Sequence, residues 1–289
     1  LAGPLFFSTQ APARILEAGS GHAFPSPSAA IAQARAGDEV RLFPGVYADC
    51  AVLRVDGLTL EGIGDAASVV LTTKTCQGKA LLVADGDTIT IRNLTLADAR
   101  VPDGNGAGIR AEGGSLTVDR VRFIGNQDGI LTADPAPHMV LTVRNSFFSG
   151  NGACLKACAH GIYAGHIARL VVEDSVFRNT RDGHHIKSRA ARTEILGCDI
   201  EDGPAGTASY LIEAPNGGAL LVRGNTLEKG PRAGNTRAAI AVGTEGQVWP
   251  DTSISVENNR FTNDNGAHTE FLLNETEADP TLRGNVISR

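Results

Sequence analysis

Aromatic residues are scarce in this chain, at 5% with a single tryptophan, and methionine also occurs only once. No apolar run approaches the length that crosses a membrane as a helix, so no membrane-spanning segment is expected. No dense block of lysine and arginine occurs either. Acidic residues exceed basic ones by 32 to 26, for a net charge of -6, which argues against a nucleic-acid backbone as partner. A negatively charged sugar polymer stays open, because a local basic patch can serve it on an otherwise acidic surface.

Several catalytic signatures are missing as well. The stretch EGIGD at 61–65 lacks the full glycine fingerprint of a dinucleotide site, and neither a GxSxG nucleophile elbow nor a phosphate-binding lysine loop is present. CLKACAH at 154–160 has no second ligand pair to complete a metal site. The Asp and Asn turns form no complete calcium loop. No metal site and no cofactor is therefore predicted, with calcium the one ion kept in view. Five cysteines are too few to define a fold. Cys50 with Cys76 and Cys154 with Cys158 read as pairs that leave Cys198 free, against the alternative of five unreactive thiols. Pairing favours a secreted or periplasmic protein. The opening LAGPLFFSTQAPA lacks the basic start of an intact signal peptide and is compatible with a processed N-terminus.

What the chain does have is glycine, 34 residues of it, with 13 prolines and many short Val, Ile and Leu runs. This favours frequent turns and short strands over long helices. PSPSAAIAQARAGDEVRLFPGVY places Ala30, Ile31 and Ala34 at helical spacing before Gly37 and Asp38, then starts a strand at Glu39. The segment is predicted as a short N-terminal capping helix, with residues 1–25 an N-terminal extension and 26–289 one solenoid domain.

From there a unit recurs: ITIRNLTL at 89–96, LTVDRVRF at 116–123, LTVRNSFF at 141–148, LVVEDSVF at 170–177, TEILGCDI at 193–200, LLVRGNTL at 220–227 and ISVENNRF at 254–261, then TLRGNVI at 281–287. Its terminal apolar residues, Leu96, Phe123, Phe148, Phe177, Ile200, Leu227, Phe261 and Ile287, are separated by 27, 25, 29, 23, 27, 34 and 26 residues. That is a coil period with variable loops. Alternate apolar residues point inward, and stacking each coil on the last pairs the backbone and continues one core. A leucine-rich repeat fits less well, because Val and Ile replace its leucines and no helix recurs. The series Ser146, Ser175, Cys198, Asn225, Asn259 and Asn285 reads as an internal ladder of small polar side chains bonding neighbouring coils.

The opening SAAIAQARAGDEVRLFPGVYADCAVLRVDGLTLEG and the forms IRNLTL, VRNSFF and VENNRF resemble the superfamily of right-handed parallel β-helices that includes pectate lyase-like proteins. The resemblance runs from about residue 26 to 287 and implies an all-β, single-stranded right-handed parallel β-helix. It does not select a chemistry, since that superfamily includes lyases, hydrolases, epimerases and binding proteins.

Chemistry-bearing residues concentrate in HGIYAGH at 160–166, RDGHHIKSRA at 181–190 and GTASYLIEAPNGG at 206–218. Aligning DGI at 128–130 with HGI at 160–162 and DGH at 182–184 puts Ile130, Ile162 and His184 inward and Tyr163, His185 and Lys187 outward. The next coil then has Tyr210 and Ile212 inward and Leu211 and Glu213 outward, unless a one-residue slip exposes Tyr210 and hides Glu213. His185, Lys187 and Tyr163 are the candidate catalytic residues. Arg189, Glu213, His160, Tyr210, Asn216 and Arg181 are the candidate substrate contacts.

Lys187 or Arg189 would neutralise a uronate carboxylate and acidify the adjacent C5 proton, which His185 or Tyr163 would remove while the other protonates the leaving oxygen. Lyases of the resembled superfamily use basic residues, sometimes with calcium, in this general manner. The function expected is a polysaccharide lyase acting on an acidic polysaccharide or oligosaccharide. A glycoside hydrolase drawing on Asp199, Glu201 and Asp202, a C5-epimerase and a noncatalytic glycan-binding or adhesion protein are the alternatives.

Overall fold

The computed structural model describes residues 12–288, and the first eleven residues fall outside it. Among the described residues three parallel sheets of eleven, ten and nine strands form, and successive coils contribute in turn to all three. A small antiparallel hairpin, Ala153–Cys154 with Cys158–Ala159, stands apart from them.

Register is in phase from coil to coil. In the eleven-stranded sheet Val40, Leu60, Ile91, Val118, Val143, Val172, Ile195, Val222 and Val256 stand one above another with no exposed surface. β-branched side chains suit such a column because they fill a pleated, half-buried surface at little rotamer cost. In the ten-stranded sheet the terminal apolar residues of the repeat align likewise. There the Phe123, Phe148 and Phe177 rings stack with centroids 4.4 Å apart at each step.

The polar ladder is present in the interior. Ser146 Oγ accepts from Val121 N–H at 3.2 Å, and Ser175 Oγ accepts from Ser146 N–H at 3.1 Å. Asn225 Oδ1 accepts from Cys198 N–H at 2.7 Å, and Asn225 donates in turn from backbone and side chain to Asn259 Oδ1, both at 2.9 Å. Asn259 repeats the pattern on Asn285. The residue just before each ladder position turns the corner at positive φ, which is why Asn145, Asp174 and Asn258 alternate there with Gly197 and Gly224.

The helix is short, Pro27–Ile31, with Ser26 accepting from Ala29 N–H at its start and Pro27, Ala30 and Ile31 buried. A strand at Ile15–Ala18 comes before it and pairs with Glu39–Leu42, so the first rung lies inside the stretch expected to be an extension. Four residues with no repeat partner leave no periodic signal to read. Both cysteine pairs form disulfides, and Cys198 is free and buried.

Removing a ladder amide leaves two buried polar partners unsatisfied. Asn225→Ala is expected to lower unfolding stability by about 1–3 kcal/mol, read as a shift in urea midpoint, with the coil spectrum of the folded state unchanged.

Candidate active site

The outer face of the nine-stranded sheet carries the candidate site. Its inward column is Leu82, Ile109, Ile130, Ile162, Ile186, Ile212 and Ile240. One residue later the chain faces outward, which aligns Arg110, Leu131, Tyr163, Lys187 and Glu213 on successive coils. Tyr163, Lys187 and Glu213 therefore sit side by side, as expected.

Alternation fails one residue earlier. The position before each isoleucine also faces the interior, and at Gly161, His185 and Leu211 the chain bends there on entering the strand. Three coils fill this position with glycine, Gly108, Gly129 and Gly161, and at the first two an added Cβ would lie 2.8 Å from the Phe123 ring and 2.9 Å from the Phe148 ring respectively. His185 and Leu211 occupy it in later coils, and both are fully buried. His185 is thus not an outward catalytic residue. Its Nδ1 pairs with Thr180 Oγ1 at 2.8 Å and its Nε2 with Asp202 Oδ1 at 3.0 Å, inside the solenoid. Burial lowers its pKa against the opposing pull of Asp202. Lys229 lies in the same interior, donates to the carbonyls of Ala208 and Ser209, and is pushed down to about 8 by burial. The workable alignment is on the isoleucine, HGI with HHI, rather than on the glycine of DGH.

Two residues before the isoleucine the side chains face out again and form a second column of Asp128, His160, His184 and Tyr210. Each of the first three accepts the backbone N–H of the next coil: His160 N–H donates to Asp128 Oδ1 at 2.7 Å, His184 N–H to His160 Nδ1 at 2.9 Å and Tyr210 N–H to His184 Nδ1 at 3.1 Å. These contacts make Nδ1 the acceptor in both imidazoles and leave the proton on Nε2. His184, expected in the core, is at the groove, its ring stacked on His160 with centroids 4.8 Å apart. Burial above all, with the nearby Lys187 charge, holds His160 well below the ordinary histidine range, so it is neutral at pH 7. Tyr210 is buried and packs against Ala238, Ala241 and Leu273, away from the groove lining.

Tyr163, His160, His184, Lys187 and Arg189 line a groove of about 520 Å³, with the Cys154–Cys158 disulfide at its rim. Glu213 Oε2 lies 2.9 Å from His184 Nε2 and 3.0 Å from Lys187 Nζ, while its Oε1 accepts from Thr244 Oγ1 at 2.7 Å. Burial raises the Glu213 pKa, but the His184 contact, the Lys187 charge and the Thr244 hydroxyl outweigh it and bring it down to about 2. Arg189 donates from Nε to the Tyr163 hydroxyl oxygen at 2.9 Å and from a terminal nitrogen to Asn216 Oδ1 at 2.5 Å. Asn216 thereby positions the guanidinium. Glu245, which no repeat feature marks in the sequence, spans the two cations: Oε1 lies 2.5 Å from Lys187 Nζ and Oε2 lies 2.5 Å from Arg189.

The remaining candidates lie elsewhere. Arg181 is exposed and reaches Gly125 O at 3.4 Å, outside the groove lining. Asp202 is buried with His185, and Asp199 and Glu201 pair with Arg178 on the ten-stranded sheet. Among the described residues no group of three or more His, Cys, Asp and Glu side chains is gathered as an ion would require. The one carboxylate in the groove lining is Asp182, and Glu213 and Glu245 beside the groove are already engaged by cations.

Residues 138–289 match the family described as right handed beta helix region. The chain belongs to this family. No curated protein matches it. Among solved structures, pectin methylesterase PemA from Erwinia chrysanthemi shares 11% identity over 91% of this chain and 82% of that one, with a TM-score of 0.50. The pectin methylesterase from Aspergillus niger shares 12% over 96% and 87%, at 0.49. The tailspike gp49 of Acinetobacter baumannii bacteriophage Fri1, a capsular polysaccharide depolymerase, shares 15% over 86% of this β-helix chain and 52% of its own, at 0.43. At such identities the likeness is one of fold.

The Glu213 carboxyl titrates near 2 in the folded β-helix and near 4.5 when unfolded. Its stabilisation is therefore complete above pH 4.5 and lost as pH falls toward 2, a change of roughly 3 kcal/mol. Urea midpoints of the protein and of Glu213→Gln should converge as the pH is lowered through this window.

Proposed function

We propose that the chain is a carbohydrate-active enzyme, a lyase that takes an acidic, uronic-acid-containing polysaccharide or oligosaccharide into this groove and cleaves it by β-elimination. The observation that carries the reading is the Glu245 carboxylate held between Lys187 and Arg189, each oxygen 2.5 Å from one cation. A carboxylate fits there, and the one present belongs to an exposed loop, Thr244–Gln247, that a substrate can displace. A fold shared with a pectin methylesterase supports a saccharide groove by analogy alone.

With a uronate carboxylate in the place of Glu245, Lys187 and Arg189 withdraw charge from it and acidify the C5 proton. Tyr163, in its ionised form, takes that proton. The C5 electron pair forms the C4–C5 double bond, the bond from C4 to the glycosidic oxygen breaks, and the Tyr163 hydroxyl returns the proton to the departing oxygen. Arg189, already donating to Tyr163 oxygen, meets the negative charge there. His160 Nε2–H has no acceptor among the described residues and is free to hold a sugar oxygen. Both imidazoles carry their proton on Nε2 and serve as donors, so Tyr163 takes the proton-transfer role expected of His185.

Hydrolysis is less well supported, because it needs a proton-bearing carboxyl at the groove beside a second carboxylate. Glu213 and Glu245 are both held below the ordinary range despite burial, by their cation partners. Burial pushes Asp128 up to about 8, but it does not line the groove, where Asp182 is the one carboxylate in the lining and no second one stands beside it. The two disulfides fit an oxidising compartment, and we place the protein in a secreted or periplasmic setting on that ground.

Incubation with a panel of uronic-acid polysaccharides, followed by ultraviolet absorbance and product mass, should give unsaturated fragments; water-added fragments would instead mean hydrolysis, and unchanged mass would defeat cleavage altogether. Tyr163→Phe should cut turnover by about 100-fold or more with binding retained. Glu245→Gln should tighten binding of an acidic oligosaccharide and leave that of its neutral, reduced analogue unmoved, whereas Lys187→Ala should weaken the acidic ligand selectively.

A further inference from the structure

The groove does not end at Tyr163. A second hollow of about 240 Å³ opens on the N-terminal side of the same sheet face, and Tyr163, Ala157 and Cys158 line both. The two hollows thus meet at the tyrosine and at the disulfide hairpin. The hairpin is anchored beyond its own coil, since Leu155 packs against Gly104, where an added Cβ would lie 3.3 Å from the leucine side chain. Glycine there lets the hairpin lie against loop 101–106 and wall the junction.

The second hollow has a charge the structure leaves unspent. Arg110 and Leu131 both line it, and they stand in the column that continues through Tyr163 and Lys187. Arg110 Nε donates to Glu112 Oε1 at 3.2 Å, and among the described residues the terminal guanidinium nitrogens have no acceptor. Glu112 is already neutralised by Lys79, whose Nζ lies 2.7 Å and 2.9 Å from its two oxygens. The cluster of two cations and one carboxylate therefore keeps a net positive charge. Asp134 also lines the hollow as a carboxylate: against its partial burial, the backbone and ring of His166, at 2.9 Å and 2.6 Å, and the Arg189 charge hold it below the ordinary range, so its charge faces His166 and Arg189.

We propose that this hollow is a second binding site for an acidic saccharide, in which Arg110 holds the carboxylate of a uronate unit on the far side of the scissile linkage from Lys187. The assignment rests on the lyase reading of the groove. Successive coils are spaced about 4.8 Å apart, so Arg110 and Lys187, three coils apart, are separated by roughly 14 Å along the column. A rung and one unit of a linear polysaccharide advance by similar lengths. A chain held at both cations therefore needs about four units, with Leu131 as the apolar floor between them and Tyr163 beneath the bond to be cut. Shorter oligomers reach one cation only.

The test is calorimetric binding of oligogalacturonates, oligomannuronates and oligoglucuronates of two to six units to the Tyr163→Phe protein, which keeps the ligand intact. Affinity should rise by about tenfold or more between the short oligomers and those of four units, as expected when a second site joins the first through a short link. Arg110→Gln should abolish that step, and Arg110→Lys should restore part of it. Thermal unfolding of each variant checks that it is folded. A smooth rise with length, or a step that survives Arg110→Gln in a folded protein, would overturn the second site while leaving the lyase reading intact. Failure of every oligomer to bind at any length would overturn the lyase reading and the second site together.

Discussion

Parallel hydrogen bonding between successive coils holds Ile130, Ile162, Ile186 and Ile212 one above another in the interior, and the outer face inherits that register. Because the side-chain period of a strand is two, fixing the isoleucines inward fixes Leu131, Tyr163, Lys187 and Glu213 outward on adjacent rungs. Residues far apart in sequence are thereby brought within ion-pair distance: Lys187 and Glu213 at 3.0 Å, Lys187 and Glu245 at 2.5 Å. The interior supplies the rigidity this needs through the stacked phenylalanines and the serine and asparagine ladder. A groove built on such a scaffold holds its charges where the coils put them.

Electrostatics inside the groove is a balance of burial against pairing. Desolvation alone would raise the buried Glu213 carboxyl, yet His184, Lys187 and Thr244 bring it to about 2. Each histidine in the outer column accepts a backbone N–H on Nδ1, so the main chain of the next coil chooses the tautomer. This is a property of stacking: the same N–H that would seek a strand partner is offered to a ring on the rung below. It turns His160 and His184 into donors and leaves Tyr163, beside Arg189, as the group suited to moving a proton.

The repeat made the architecture legible, because coil separation and apolar pattern are both local features of sequence. The neighbourhood of Tyr163, Lys187, Glu213, Arg189 and Asn216 is legible because they lie on or beside regular strand positions. His184 and His185 were exchanged because the bend before the strand places two consecutive residues inward, and period-two counting through a bend reverses every side chain before it. The recurring isoleucine carries the correct alignment, with a histidine standing where three earlier coils have glycine. Glu245 was invisible for another reason. It lies in a loop of irregular length, and only the closed fold brings it 2.5 Å from Lys187, from which it is separated by 58 residues.

The central claim is that the space between Lys187 and Arg189 receives a sugar carboxylate. The crystal structure of the Tyr163→Phe protein with a bound oligouronate tests it most directly. The account requires a uronate carboxylate between those two side chains, with Glu245 displaced and the C5 carbon facing residue 163. A sugar bound elsewhere, or one seated in the groove while Glu245 keeps both cations, would contradict it.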